Sequence, residues 1–207
     1  MINRILIIVL ICFSSQCFAV EENPLKHFLD GLNTLEANFS QTLFNESGDQ
    51  LENTKGVLFL TQPDKFYWSY EYPYSQQIIS DGNVLWVYDK DLEQLTIKNM
   101  KNDLSQSPAG IILGNSDIEK HYIEVNLGDI DGYNWVELTS REIESQYRSI
   151  KIGFNDNKLG MLIIHDSLGQ ITRIDFSDVK RNIDIDDVKF TFNPPAGIDV
   201  IDEREMN

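Results

Sequence analysis

From Gly56 to Asp89 the chain is a run of short period-two segments whose two faces are both apolar. In Gly56–Thr61, Val57 and Phe59 point one way while Leu58 and Leu60 point the other; in Asn83–Asp89, Val84, Trp86 and Tyr88 oppose Leu85 and Val87. Successive residues of a strand lie on opposite faces of its sheet, so both faces of this sheet need a cover. A half-solvated antiparallel sheet would instead show polar residues along one face. Helices could supply the second cover, but few residues here have helical patterning. Two arrangements satisfy the pattern: a sandwich or closed barrel with a filled core, or a curved sheet enclosing an apolar cavity.

The rest of the chain continues the strand series. Lys65–Tyr72 and Gln76–Ser80 precede the hairpin signal Asp81 and Gly82. Further strands are expected at Gln94–Met100, His121–Leu127, Tyr133–Thr139, Tyr147–Phe154, Leu159–His165, Gln170–Asp178 and Lys189–Phe192, most of them separated by Gly, Asn and Asp clusters. Phe39, Gln41 and Leu43 alternate before a turn over Asn45–Asp49. Helical spacing occurs in two places. Leu25, Phe28, Leu29, Leu32 and Leu35 predict a helix over Pro24–Leu35, with Asn23 as N-cap, Pro24 in the first turn and His27 off the apolar face, in solvent. A shorter apolar stretch, Ser107–Gly114, has Pro108 placed to open a helical segment. The expected architecture is an N-terminal helix, one antiparallel sheet in sequence order and a mid-chain helical insert.

The N-terminus reads as an export signal. A basic start ending at Arg4 and an apolar run over Ile5–Phe13 lead to Cys17, Phe18 and Ala19, with cleavage expected after Ala19; the run is too short to span a bilayer. Residues 1–19 are thus expected to be a signal peptide and residues 20–207 a single domain. A lipid-anchor signal would need a small residue before its cysteine, whereas Ile11 precedes Cys12 and Gln16 precedes Cys17. Cleavage would remove both cysteines, leaving packing alone to stabilise the product. The formal charge of −16 argues against a nucleic-acid partner, which clustered Lys and Arg would have to neutralise.

Reaction chemistry finds little support. No nucleophile elbow, phosphate-binding loop, paired metal-ligating histidines or CxxC occurs, and His27, His121 and His165 are far apart. His165, Asp166 and Ser167 share residue types with a catalytic triad, but a triad assembles from distant positions. The acidic run Asp184–Asp187 lacks the ligand spacing of a calcium loop. No motif calls for a cofactor or a metal, and the chain is expected not to be an enzyme.

The run GVLFLTQPDKFYW from Gly56 to Trp68, followed by Pro73, by Ser80, Asp81 and Gly82, and by Leu85, Trp86 and Tyr88, resembles the LolA family of periplasmic lipoprotein carriers. Phe39 and Gln41, Asp91 to Gln94, Ser107 and Pro108, and the C-terminal stretch from Phe190 to Ile201 extend the resemblance over nearly all of the chain beyond the signal. It implies a mainly β fold: an unclosed antiparallel β-barrel with a helical lid over an apolar cavity. It also implies a periplasmic chaperone, a monomer without cofactor. Such a chaperone takes acylated lipoproteins from an inner-membrane lipoprotein-releasing ABC transporter and passes them to an outer-membrane lipoprotein acceptor. The expected cavity residues are Leu29, Phe66, Trp68, Ile78, Trp86 and Ile150, with Ile111 and Ile112 under the lid. Carriage of another lipid, a glycolipid or pigment ester, is the alternative, and a secreted lipid hydrolase a more distant one. The chain departs from the family before Pro63, where an arginine that holds the lid is common and Gln62 stands here; Tyr67 stands where a second arginine is common. A neutral amide offers fewer donors and no charge. The lid is therefore expected to be held less firmly, or by another group, and Gln62→Arg is expected to slow the uptake of an apolar dye.

Overall fold

The computed structural model describes residues 23–100, 108–113 and 118–204. The expected signal peptide over 1–19 lies outside these residues, as does Ser107. Twelve strands form one sheet, ordered β12-β6-β5-β4-β3-β2-β1-β11-β10-β9-β8-β7. Their ranges are β1 Thr34–Phe44, β2 Gln50–Thr61, β3 Lys65–Tyr72, β4 Gln76–Asp81, β5 Val84–Asp89, β6 Gln94–Asn99, β7 Tyr122–Ile130, β8 Tyr133–Ser140, β9 Tyr147–Asn155, β10 Lys158–Asp166, β11 Ile171–Arg181 and β12 Asp199–Asp202. The helices are α1 Pro24–Leu29, α2 Pro108–Ile112 and α3 Ile118–His121, with a 3-10 turn over Asp187–Phe190. The sheet ends in two separate edge strands, β12 and β7, so the fold is an unclosed, almost wholly antiparallel β-barrel with helices over its concave face.

Strand order follows sequence order only within two halves. β2 to β6 run outward from β1 as successive hairpins; the chain then crosses over, carrying α2 and α3, and begins again at the far edge with β7. Returning hairpins bring β11 back to the other side of β1, where Phe39 faces Phe176 and Gln41 faces Ile174. β1 is thus the seam of the barrel, paired along its length with β2 as well. Turn chemistry supports this register. Asn45 closes the β1–β2 turn by accepting from Asp49 N at 2.8 Å, and Gly82 supplies a φ of +100° between β4 and β5, which a side chain would disfavour.

Two expectations about elements are corrected. The helix predicted over Pro24–Leu35 stops at Leu29: Gly31 has a φ of +68° and the chain turns into β1 by Thr34. Leu32 and Leu35 are buried all the same, from a loop and a strand. The strand predicted over Lys189–Phe192 is instead partly a 3-10 turn, capped where Asp186 Oδ1 accepts from Val188 N at 3.0 Å. Pro194 and Pro195 just beyond lack the N–H groups a ladder requires.

That C-terminal segment covers the second apolar face. Phe190 is fully buried, Phe192 packs on Tyr88 with ring centroids 5.2 Å apart, and Lys189 Nζ sits 4.1 Å from the centroid of Phe59. Lys65 pairs with Asp187 at 2.9 Å, and β12 then adds to β6 as the one parallel strand. A short 3-10 turn and the extended chain after it therefore cover the face for which few helical residues were available.

Candidate functional site

The concave face is the opposite one. Register places Leu60, Phe66, Ser80 and Leu85 in one row across β2 to β5, and Leu58, Trp68, Ile78 and Val87 in the next. From the other half of the barrel Leu138, Ile150, Ile152, Phe154, Leu162 and Ile174 join the same apolar cluster. Two short helices close over it. In α2, Ile111 and Ile112 are buried, as is Leu113 just after it. Ile112 and Leu113 face Leu58, Leu60, Phe66 and Trp68 across interstices too narrow to admit a water molecule. α2 is seated directly on the sheet, with no water-sized space between them.

α1 is held by different chemistry. Asn23 Oδ1 accepts from Lys26 N at 3.0 Å and caps the helix. Phe28, fully buried, packs on Phe154 at 5.2 Å. Arg181, at the end of β11, lays its guanidinium 5.0 Å from the Phe28 ring centroid and donates from Nη2 to Phe28 O at 2.6 Å. A charge-assisted bond to a helix's terminal carbonyl is stronger than a neutral one and complements the helix dipole. Gln62 contributes its backbone here, donating to Asn33 O at 2.8 Å. A cationic clasp on α1 thus comes from a strand distant in sequence, and the resemblance gave no pointer to it.

Seven of the expected residues come together in this cluster: Leu29, Phe66, Trp68, Ile78, Ile111, Ile112 and Ile150. Trp86 does not. It pairs with Ile79, which pairs with Tyr67, which pairs with Phe59, and that row is the outer face beneath the C-terminal segment. The correction is one of parity: Val87, the next residue, shares the inner row with Trp68 and Ile78. Leu58, Leu60, Phe39, Met100 and Leu113 belong to the inner cluster and were missed. For the first two the signal was present, since they alternate from Gly56 and face Trp68 and Phe66 across a hairpin.

Toward the β1–β2 turn the concave face becomes polar. The Tyr70 hydroxyl donates to Gln41 Oε1 at 3.2 Å, and burial pushes that phenol up to about 12. Burial, then the neighbouring Glu52 carboxylate, raises Tyr74 as well, and burial raises Tyr147. Among the described residues, Glu52 Oε1, Thr54 Oγ1 and Trp68 Nε1 are buried without a hydrogen-bond partner. Trp68 also acts on the Tyr70 phenol, opposing part of the effect of burial. No group of three or more metal-ligating side chains occurs among the described residues.

Known proteins give a consistent picture. The family model for outer membrane lipoprotein carrier protein LolA matches residues 30–193. An outer-membrane lipoprotein carrier protein of Methylococcus capsulatus is 36% identical over 202 residues, 97% of each chain. One from Nitrosospira multiformis is 36% identical over 192 residues, covering 92% of this chain and 93% of its own, and one from Chromobacterium violaceum is 37% identical over 177, covering 86% and 85%. Among solved structures, an uncharacterised conserved protein of Thermus thermophilus superposes with a TM-score of 0.57 at 10% identity, over 86% of this chain and 94% of that one, a likeness of fold alone.

Proposed function

Because the chain belongs to the LolA family of outer-membrane lipoprotein carriers, we propose that its concave apolar face, roofed by α1 and α2, is where lipoprotein acyl chains ride. The protein is a periplasmic lipoprotein carrier. The observation that carries the site assignment is the seating of Ile112 and Leu113 on Leu58, Leu60, Phe66 and Trp68, an apolar cover over an apolar wall. Burial is worth about 0.8 kcal/mol per methylene, so exposing a chain of roughly fifteen methylenes costs on the order of 12 kcal/mol. Cargo of that kind does not cross water free; it moves by direct hand-off to a surface that binds it better. In this reading the donor is an inner-membrane ABC transporter and the recipient an outer-membrane lipoprotein acceptor. The carrier is a monomer comprising residues 20–207, exported through a signal cleaved after Ala19. Displacement of the lid is the whole of the protein's work, and no step needs a catalytic group.

Spheroplasts making lipoproteins labelled with radioactive palmitate provide the test. Added purified protein is expected to bring labelled lipoprotein into the soluble fraction, bound to itself. Label recovered as free lipid would favour the glycolipid or pigment-ester reading, and no soluble label from folded protein would contradict the carrier reading.

A further inference from the structure

Acyl chains ask only for apolar surface, yet one end of the concave face carries polar atoms that the fold leaves unused. Thr54 is 1% exposed and Trp68 6% exposed, and Thr54 Oγ1 and Trp68 Nε1 meet hydrogen-bond geometry with no partner, although Trp68 acts on the Tyr70 phenol; the Tyr74 hydroxyl engages the Glu52 carboxylate but leaves its Oε1 unpaired. Buried polar atoms are normally paired, because an unpaired one loses water and gains nothing. These three sit on two adjacent strands and on one face. Glu52 and Thr54 are two and one inward-facing positions before Gly56 on β2, and Gly56 pairs with Tyr70, the inward neighbour of Trp68 on β3. Trp68 also borders the interstices beneath Ile112 and Leu113, so the polar group begins where the apolar wall under the lid ends.

The donors and acceptors match one kind of ligand group. Trp68 Nε1 can only donate, the Thr54 hydroxyl can donate or accept, and a Glu52 carboxylate oxygen only accepts. An acylated glyceryl group presents ester carbonyls that accept, and an N-acylated terminus adds an amide N–H that donates. We propose that Glu52, Thr54 and Trp68 form a subsite for the polar linkage of the lipid: Trp68 and Thr54 donate to ester carbonyls, and Glu52 accepts from the amide N–H. The subsite rests on the carrier reading above and adds selectivity to it. A glycerophospholipid offers the same esters, but its phosphate would stand beside the Glu52 carboxylate, and like charges brought together reject that ligand. The neighbouring phenols of Tyr70, Tyr74 and Tyr147 are held protonated, so they add no anion.

The test compares three probes on the purified protein: a synthetic triacylated cysteinyl peptide, phosphatidylglycerol, and diphenylhexatriene, which has no polar atoms. Thr54→Val is expected to lower the affinity for the peptide relative to diphenylhexatriene by about fivefold to tenfold, the loss of one hydrogen bond. Because Oγ1 has no partner in the protein, the same variant is expected to keep or raise the unfolding midpoint, which a structural hydroxyl would not allow. Glu52→Gln is expected to raise affinity for phosphatidylglycerol relative to the peptide by about tenfold. Unchanged affinity ratios in both variants would overturn the subsite while leaving the carrier reading intact. Wild-type protein that binds diphenylhexatriene but not the peptide would overturn the carrier reading, and the subsite with it.

Discussion

Single residues decide how tightly the roof sits. Arg181 holds α1 through Phe28 O at 2.6 Å and through the Phe28 ring. A hydrogen bond to a charged group contributes about 1.5–3 kcal/mol, and removing it is expected to act on lid opening more than on the sheet. Arg181→Met should therefore speed the uptake of an apolar dye by about tenfold, measured by stopped-flow fluorescence; uptake at the wild-type rate would show that α1 does not gate entry. Gly56 shows the opposite limit. A Cβ there would lie 1.8 Å from Ser69 O and 2.9 Å from the Phe39 ring, so Gly56→Ala must part β2 from β3. A loss of about 3 kcal/mol in urea unfolding is expected. The glycine was visible in the sequence, but nothing local showed that the neighbouring backbone crosses so close. Arg181 was equally hidden, because its partner lies 153 positions away.

At the scale of elements, local periodicity was a good guide wherever strands pair with their sequence neighbours. The hairpins from β2 to β6 and from β7 to β11 match the expected strands because alternation and turn residues are local signals. Parity was harder. Trp86 and Val87 are both large and apolar, and only the register with β4 decides which one faces inward. Helical spacing misled at Leu32 and Leu35, since a spacing of three suits an apolar helix face and is also met by chance in a loop entering a strand. α2 was legible from Pro108 and the apolar residues after it. Its role is open to test. Ile112→Asp would press a carboxylate against Leu58 and Trp68, which desolvation disfavours. The variant is expected to exchange an apolar dye faster in both directions, while an unchanged exchange rate would mean that α2 is not the moving cover.

For the whole molecule, the sequence carried the conclusion that both faces of the sheet must be covered, but not what covers each. Helices roof the inner face and the C-terminal segment seals the outer one, with Phe190 buried at the end of a 3-10 turn and Phe192 packed on Tyr88 from the extended chain beyond it. Stability against alkali follows from the buried phenols. Burial pushes Tyr70 and Tyr122 up to about 12 from an ordinary value near 10. An acid whose folded value is raised contributes stability that is complete below the unfolded value and is lost as pH rises toward the folded one. The urea midpoint is thus expected to hold to about pH 10 and to fall between about pH 10 and 12, and to fall less in Tyr70→Phe and Tyr122→Phe. A flat profile over that range would contradict the assigned burial.

The most direct test of the central claim, that cargo rides on the inner face and not the outer, is site-specific photo-crosslinking. A photoreactive phenylalanine analogue is placed in turn at Phe66 and at Trp86, on opposite faces of neighbouring hairpins. The protein is then loaded from spheroplasts whose lipoproteins carry radioactive palmitate. Crosslinking to labelled cargo from position 66 and not from position 86 is the expected result. Equal crosslinking from both positions, or crosslinking from position 86 alone, would contradict the account.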